Sequence, residues 1–569
     1  MSRKLIFLLL SGLIVSPLPA AAQGTPAAPA VKKTVSEPTR PEEILPRTVF
    51  GVLLGELALQ RGKFDIALGA YVDLARRTSD PRVLERAVEL AIHSQQHELT
   101  LELSRKWLLV EPESAKAQQG LLSALIQLNR TDELGEQLAR VLERDKSRLP
   151  DSLMTLNRIL ARQTDRQASA RLVEKLAAPY AHLPEAQYAI GLAALSSGDQ
   201  AKARMASAKA LELRPDWERG ALLRAQVLLK ESNADARLFL EEFIAANPLA
   251  DDARLSLARV YLSEKKEKEA RAEFERVLER YPTSPEALYP AAMLALKEND
   301  LAAGRRYLER LLAGQYQDRS TLHYFLGQIE EEDKRTEAAL MHYRQVTAGD
   351  QYLAARLRAA QLLVNNGEND AGIQILRDSQ VFTPEEKAQL AMAESILLRD
   401  AKRYQEAYDR LARELQLQPE NTKLLYDTAM AAERLGKLDV MERHLKKLIA
   451  LDPKHAHALN ALGYTLADHN KRLDEAYQLI RRALELAPND PFIMDSLGWV
   501  QYRQGKLREA LTTLEAAYKL RADPEIAAHL GEVLWRLDRR DEARKLWQDA
   551  AARHPDNEAL TAVLKKHTP

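Results

Sequence analysis

The chain has 569 residues, and its 82 lysines and arginines balance 82 aspartates and glutamates, with a sequence pI of about 7.2. That balance excludes a strongly basic nucleic-acid binder and a polyacidic tail. Cysteine is absent, which excludes disulfides, thiolate metal sites, a cysteine nucleophile and any lipid carried on a cysteine.

The chain opens on an export pattern. Arg3 and Lys4 precede an apolar run over residues 5–15, and Ala20 and Ala22 occupy the small-residue positions before Gln23. Residues 1–22 are therefore predicted to be a signal peptide, since the apolar run is well short of the ~20 residues a spanning helix needs. Residues 23–47 are rich in Ala, Pro, Thr, Lys and Glu. Such a composition buries too little apolar surface to offset its conformational entropy, so a disordered leader is predicted there.

Helical repeats follow. Over residues 48–183 they are divergent, as in Gly55, Ala58, Ala67 and Tyr71, and the segment 148–183 reads as helical without a defined repeat. From residue 184 to 555 the chain repeats with a period near 34. Gly463, Gly498 and Gly531 are 35 and 33 residues apart, and Ala476, Ala510 and Ala543 follow at 34 and 33. Each copy then carries a large apolar residue (Ile480, Leu514, Trp547) and another alanine (Ala483, Ala517, Ala550).

This spacing predicts a pair of helices per copy. The glycine allows close approach of the partner helix, and the second helix presents alanine and a large residue four positions later on one face. One pair cannot bury its apolar face alone, so copies must stack. Prolines fix the register. Pro112, Pro215, Pro248, Pro282, Pro419, Pro453, Pro488 and Pro555 close units, whereas Pro81, Pro184, Pro285, Pro384, Pro491 and Pro524 fall at helix starts. Pro290 falls inside a first helix, where a kink is expected. Thr383 and Glu386 have capping-box spacing. Residues 556–569 are expected to form a solubilising C-terminal capping helix.

Leu459, Leu462, Gly463, Ala476, Ile480, Ala483 and Pro488 resemble the tetratricopeptide repeat pattern. The resemblance implies an all-α fold, a solenoid of helix-turn-helix units in a right-handed superhelix, with some fifteen units between residues 48 and 555.

No catalytic constellation, metal site or cofactor loop emerges. Gly62-Lys63, Gly436-Lys437 and Gly505-Lys506 are inter-helix turns without a preceding phosphate loop. His455 and His457 point away from each other on a helix, and Ser263 with Lys266 lie in a charged turn. Function is expected instead on the inner wall lined by the first helix of each unit. The inward positions of the last three units give Asn460, Tyr464, Phe492, Asp495, Trp499, Tyr502, Arg503, Trp535 and Arg536. Large aromatics and arginines dominate protein–protein binding energy, so these nine are the candidate partner-binding residues. The alternative is that Trp499 and Trp535 only pack between helices. The inner positions are a poor match to repeats that clamp a C-terminal carboxylate.

The runs at residues 495–503 and 523–535, with residues 56–68, resemble a family of exported proteobacterial repeat proteins. That family includes an outer-membrane lipoprotein adaptor of a periplasmic carboxyl-terminal processing protease, which degrades cell-wall cross-link hydrolases. The resemblance implies a non-enzymatic periplasmic adaptor whose partners are that protease and its substrates, with no nucleic acid and no transmembrane segment in the mature chain. The different repeat quality of the two halves suggests a division in which the N-terminal half holds the protease and the C-terminal groove the substrate. The adaptor's lipidated cysteine has no counterpart here, so the expected location is periplasmic, soluble or peripheral to the envelope. A scaffold for exopolysaccharide or outer-envelope assembly is the alternative.

Overall fold

The computed structural model describes residues 44–144, 146–161 and 165–567. The predicted signal peptide and most of the predicted leader lie outside the described residues. The first helix, Ile44–Gln60, begins inside the predicted leader. Pro46 fits there because the first turn of a helix has no intrahelical acceptor for its N–H groups.

Among the described residues there are 31 α-helices, the last of them the terminal helix Glu558–His567. Two compact units divide between Ser232 and Asn233. The first ends with the helix Glu218–Leu229 and the second begins with Asn233–Ala246. The segment predicted as helical without a defined repeat holds a pair of its own, Leu149–Leu160 and Arg166–Ala177, flanked by 3-10 turns at Lys146–Arg148 and Ala178–Tyr180.

The prolines do what their chemistry allows. The eight closing prolines each stand two residues past the end of a second helix, and the six starting prolines are each the first residue of a helix. The Pro285–Lys297 helix continues through Pro290. Thr383 caps Pro384–Asp400: its Oγ1 accepts the Glu386 N–H at 3.2 Å, and Glu386 Oε2 accepts the Thr383 N–H at 3.1 Å. The turn glycines Gly62, Gly436 and Gly505 have φ of 68°, 69° and 80°, a region closed to most side chains.

Packing within a pair follows the repeat. Ala476, Ala510 and Ala543 are fully buried, as are Ile480, Leu514 and Trp547. Gly463 lies so close to the second helix of its pair that a Cβ would stand 2.6 Å from Ile480 Cγ1 and 2.9 Å from the Ala476 carbonyl oxygen. Trp547 fills the same place in the last pair, and its indole N–H donates to the Ala528 carbonyl at 3.2 Å. Burying an indole of ~200 Å² contributes on the order of 5 kcal/mol.

Candidate partner-binding wall

The inner residues of the last units come from the helices Ala456–Asp468, Pro491–Arg503 and Pro524–Arg536. On Pro491–Arg503, Phe492, Asp495, Trp499 and Tyr502 recur at intervals of three and four, which puts them on one face. The structure joins most of the nine predicted residues through His529, which sequence reasoning did not select. His529 Nδ1 donates to both Asp495 carboxylate oxygens at 2.9 Å, and its ring stacks on Trp499 with centroids 4.2 Å apart. Trp499 stacks in turn on Tyr502 at 5.0 Å, while Tyr464 meets His529 at 6.1 Å. The Arg503 guanidinium lies over the Trp499 ring at 5.8 Å, and the Trp499 N–H donates to Asp468 Oδ1 at 3.2 Å.

These contacts change the character of the wall. Trp499 is only 8% exposed and Asp495 only 6%, so they form a rigid backing layer and not an open aromatic surface. Successive first helices approach closely enough for His529 of one to insert against Trp499 of the one before. Phe492 is exposed, with Arg521 over its ring at 5.0 Å. Arg503 is half-buried and Arg536 exposed. Trp535 belongs to a second cluster: it meets His567 of the terminal helix at 4.6 Å and Trp547 at 5.9 Å, and carries Arg540 and Arg544 on its faces. Glu532 ties the terminal helix down, accepting from Lys566 Nζ at 2.8 Å and His567 Nε2 at 3.0 Å. Asn460 stands apart, because its Oδ1 is sheltered from solvent and accepts no hydrogen bond.

The electrostatics follow from this geometry. Burial works against a charged His529, but the Asp495 carboxylate in contact with it, aided by Glu525 and Asp468, outweighs burial and raises its pKa above 6.5. Tyr464 is raised above its ordinary 10.0, first by burial and then by the surrounding carboxylates Asp468, Asp495, Glu525 and Glu433.

The same register read backward reveals a part of the wall that the sequence reading passed over. Trp499, Tyr464, Met430 and Ile396 are equivalent positions 35, 34 and 34 residues apart, and Asp495, Asn460, Tyr426 and Met392 form the parallel column. Met392, Ile396, Tyr426 and Met430 line a cleft of about 570 Å³, with Asp427 and Glu433 also in its lining. The periodicity was the available signal, and it lost force where methionine replaced the conspicuous aromatics.

The remaining candidates have ordinary roles. His455 is the N-cap of Ala456–Asp468, its Nδ1 accepting the Ala458 N–H at 3.1 Å. Ser263 donates its hydroxyl to the Val260 carbonyl at 2.7 Å, and Lys266 pairs with Glu264 at 2.8 Å. Among the described residues no three metal-ligating side chains converge, and no helix is long and apolar enough to cross a membrane.

Tetratricopeptide repeat families match residues 184–216, 222–285, 289–354, 426–491 and 496–560. The chain is a tetratricopeptide repeat protein. It is 33% identical over 509 residues to the TPR repeat-containing protein PA4667 of Pseudomonas aeruginosa, an alignment covering 88% of this chain and 84% of that one. Among solved structures, a thermophilic tetratricopeptide repeat protein of Thermus thermophilus aligns with 32% of this chain and 98% of its own, at 22% identity and a TM-score of 0.29. The APC/C hetero-tetramer Cut9–Hcn1 aligns with 92% of this chain and 96% of its own, at 14% identity and a TM-score of 0.30. Tetratricopeptide repeat proteins are generally non-catalytic scaffolds that bind other proteins, and this chain is a protein-binding adaptor or scaffold of that kind.

Proposed function

We propose that the chain is a non-enzymatic, exported adaptor that links a periplasmic carboxyl-terminal processing protease to the cell-wall hydrolases the protease degrades. The observation that supports this reading is the inner wall near the C-terminus. Phe492, Arg503 and Arg536 are accessible there, and a stacked layer of Trp499, His529 and Tyr502 backs part of that face. A rigid aromatic floor holding the Arg503 guanidinium reduces the ordering cost of binding. Asn460 and Tyr464 extend that face, and Asp495 and Trp535 hold it in shape. The division into two compact units suits a protein that holds two partners at once.

The test is affinity capture with the mature chain as bait and a periplasmic extract as prey, followed by reconstitution with the purified components. Recovery of the protease together with a cell-wall hydrolase, lost on Arg503→Ala with Arg536→Ala, is the expected result. Recovery of polysaccharide-export or outer-membrane assembly components, with no protease, would replace the adaptor by an envelope scaffold.

A further inference from the structure

The cleft between Pro384–Asp400 and Thr422–Arg434 combines an apolar floor with two carboxylates that lack a direct partner. Met392, Ile396 and Met430 form the floor beside the Tyr426 ring, and Ile396 is 45% exposed. Methionine is unbranched and polarizable, so such a floor adapts to aliphatic side chains of different shape.

The charged groups at its rim are not equivalent. Arg399 pairs with Asp400 at 3.3 Å, and the Arg434 guanidinium rests on the Tyr404 ring at 5.2 Å. The cations are therefore engaged. The Asp427 and Glu433 carboxylates, by contrast, have neither a hydrogen-bond nor an ion-pair partner among the described residues. Burial there is unfavourable to negative charge, and the nearby Arg399 and Arg434 offset it only in part. Asp427 is raised above its ordinary carboxylate value by burial, against the pull of Arg399; Glu433 is raised chiefly by the protein mass around the cleft, with Arg434 and His469 opposing it and Asp468 and Glu525 adding to it. The larger open cleft of about 1090 Å³ in the N-terminal unit differs, because most of the ions facing it pair directly, as Arg76 does with Glu102 at 3.0 Å and Arg130 with Glu98 at 2.9 Å.

We infer that this cleft binds a protein segment that places an apolar side chain on Met392, Ile396 and Met430 and an adjacent lysine or arginine against Asp427 and Glu433. The inference rests on the reading of the inner wall as the partner-binding surface and names the partner chemistry that wall selects. A cation at Asp427 and Glu433 pairs directly with two partly desolvated carboxylates, whereas an anion there adds a third like charge. Charge therefore sets the direction of specificity and the apolar floor supplies the contact area. The neighbouring structure already uses the same combination once, where Lys566 binds Glu532 near the Trp535 and Trp547 rings.

Three short capped peptides carrying a fluorophore test it, with Leu-Lys-Leu, Leu-Glu-Leu or Ser-Lys-Ser at the centre of an otherwise identical Gly/Ser sequence. Fluorescence anisotropy with the full chain is expected to give the Leu-Lys-Leu peptide at least a ~10-fold advantage over each of the others. Asp427→Asn with Glu433→Gln is expected to remove the preference for lysine over glutamate, and Met430→Ala to remove the preference for leucine over serine. The Asn and Gln side chains are near-isosteric, and circular dichroism verifies that the helices persist; Glu433→Gln alone, at an exposed position, gives the same reading if the double variant misfolds. Equal binding of the lysine and glutamate peptides, or a preference that survives both substitutions, overturns the inference. If a native partner still requires Arg503 and Arg536 while the peptides show no preference, the inference falls and the adaptor reading stands. A partner indifferent to substitutions at both places removes the wall reading itself.

Discussion

The same substitution, glycine to alanine, should have opposite signs at two positions in this chain. In a helix interior alanine is favoured over glycine by ~1 kcal/mol, because glycine loses more backbone entropy on folding. Gly69 lies within the helix Phe64–Arg77, where an added Cβ meets nothing within 4 Å. Gly69→Ala should therefore stabilise its helix by ~0.5–1 kcal/mol. At Gly463 the new Cβ would stand 2.9 Å from the Ala476 carbonyl oxygen and 2.6 Å from Ile480 Cγ1. Ile480 is fully buried, and the carbonyl belongs to a helix backbone, so neither yields without moving the whole second helix. Overpacking of this kind costs ~1–3 kcal/mol, which exceeds the propensity gain. The expected net loss is about 1–2 kcal/mol, or roughly tenfold in the local opening equilibrium. Amide hydrogen exchange read by mass spectrometry suits a repeat array, in which a single global melt need not be two-state. Protection should fall across Ala456–Asp468 and Leu473–Leu486 in Gly463→Ala and rise in Phe64–Arg77 in Gly69→Ala. Equal or greater protection around residue 463 would refute the argument that close approach makes glycine necessary there.

The remaining expectations concern charge and capping. His529 has a raised pKa, so its contribution to stability is fully present below pH ~6.5 and is lost as pH rises through its folded value. Exchange protection of Pro524–Arg536 should decline over that window, and Asp495→Asn should flatten the dependence; an unchanged profile would mean that the pair does not titrate as described. Glu532→Gln weakens the hold on Lys566 and His567, at a cost of about 1–2 kcal/mol since Lys566 is largely exposed. Protection should then drop in Glu558–His567 while Pro524–Arg536 changes little. Thr383→Ala removes the capping box and should destabilise the start of Pro384–Asp400 by ~1 kcal/mol, with exchange increased in its first turn.

Much of the fold was legible from punctuation. A proline at a helix start costs nothing because its missing N–H had no partner, and a proline two residues past a helix end cannot continue it. Both ends of several helix pairs, such as the one that opens at Pro184 and closes at Pro215, are therefore marked by residues whose backbone chemistry leaves few choices. The pairing of Gly463 with Ile480 and of Gly531 with Trp547 was legible for the same reason, since a small residue on one helix faces a large one on the next. The wall was only partly legible. Inward positions follow from period and register, and Phe492, Arg503 and Arg536 are accessible where expected. Trp499 and Asp495 could not be assigned this way, because their burial depends on His529 one helix further on and on how closely the two first helices approach. Met392, Ile396 and Met430 obey the same register but carry no chemical mark that separates a cleft floor from a core.

The helical hairpins of the repeat array, their register, and the residues of each pair that face one another were dictated by the amino-acid sequence. Those features rest on local backbone rules and on a short-range repeat, so they are written within about 34 residues of chain. Which inward side chains stay open to a partner was decided by the folded arrangement alone. Accessibility at a wall is set by the distance between successive units, and that distance is the outcome of packing many side chains together, with no single residue recording it.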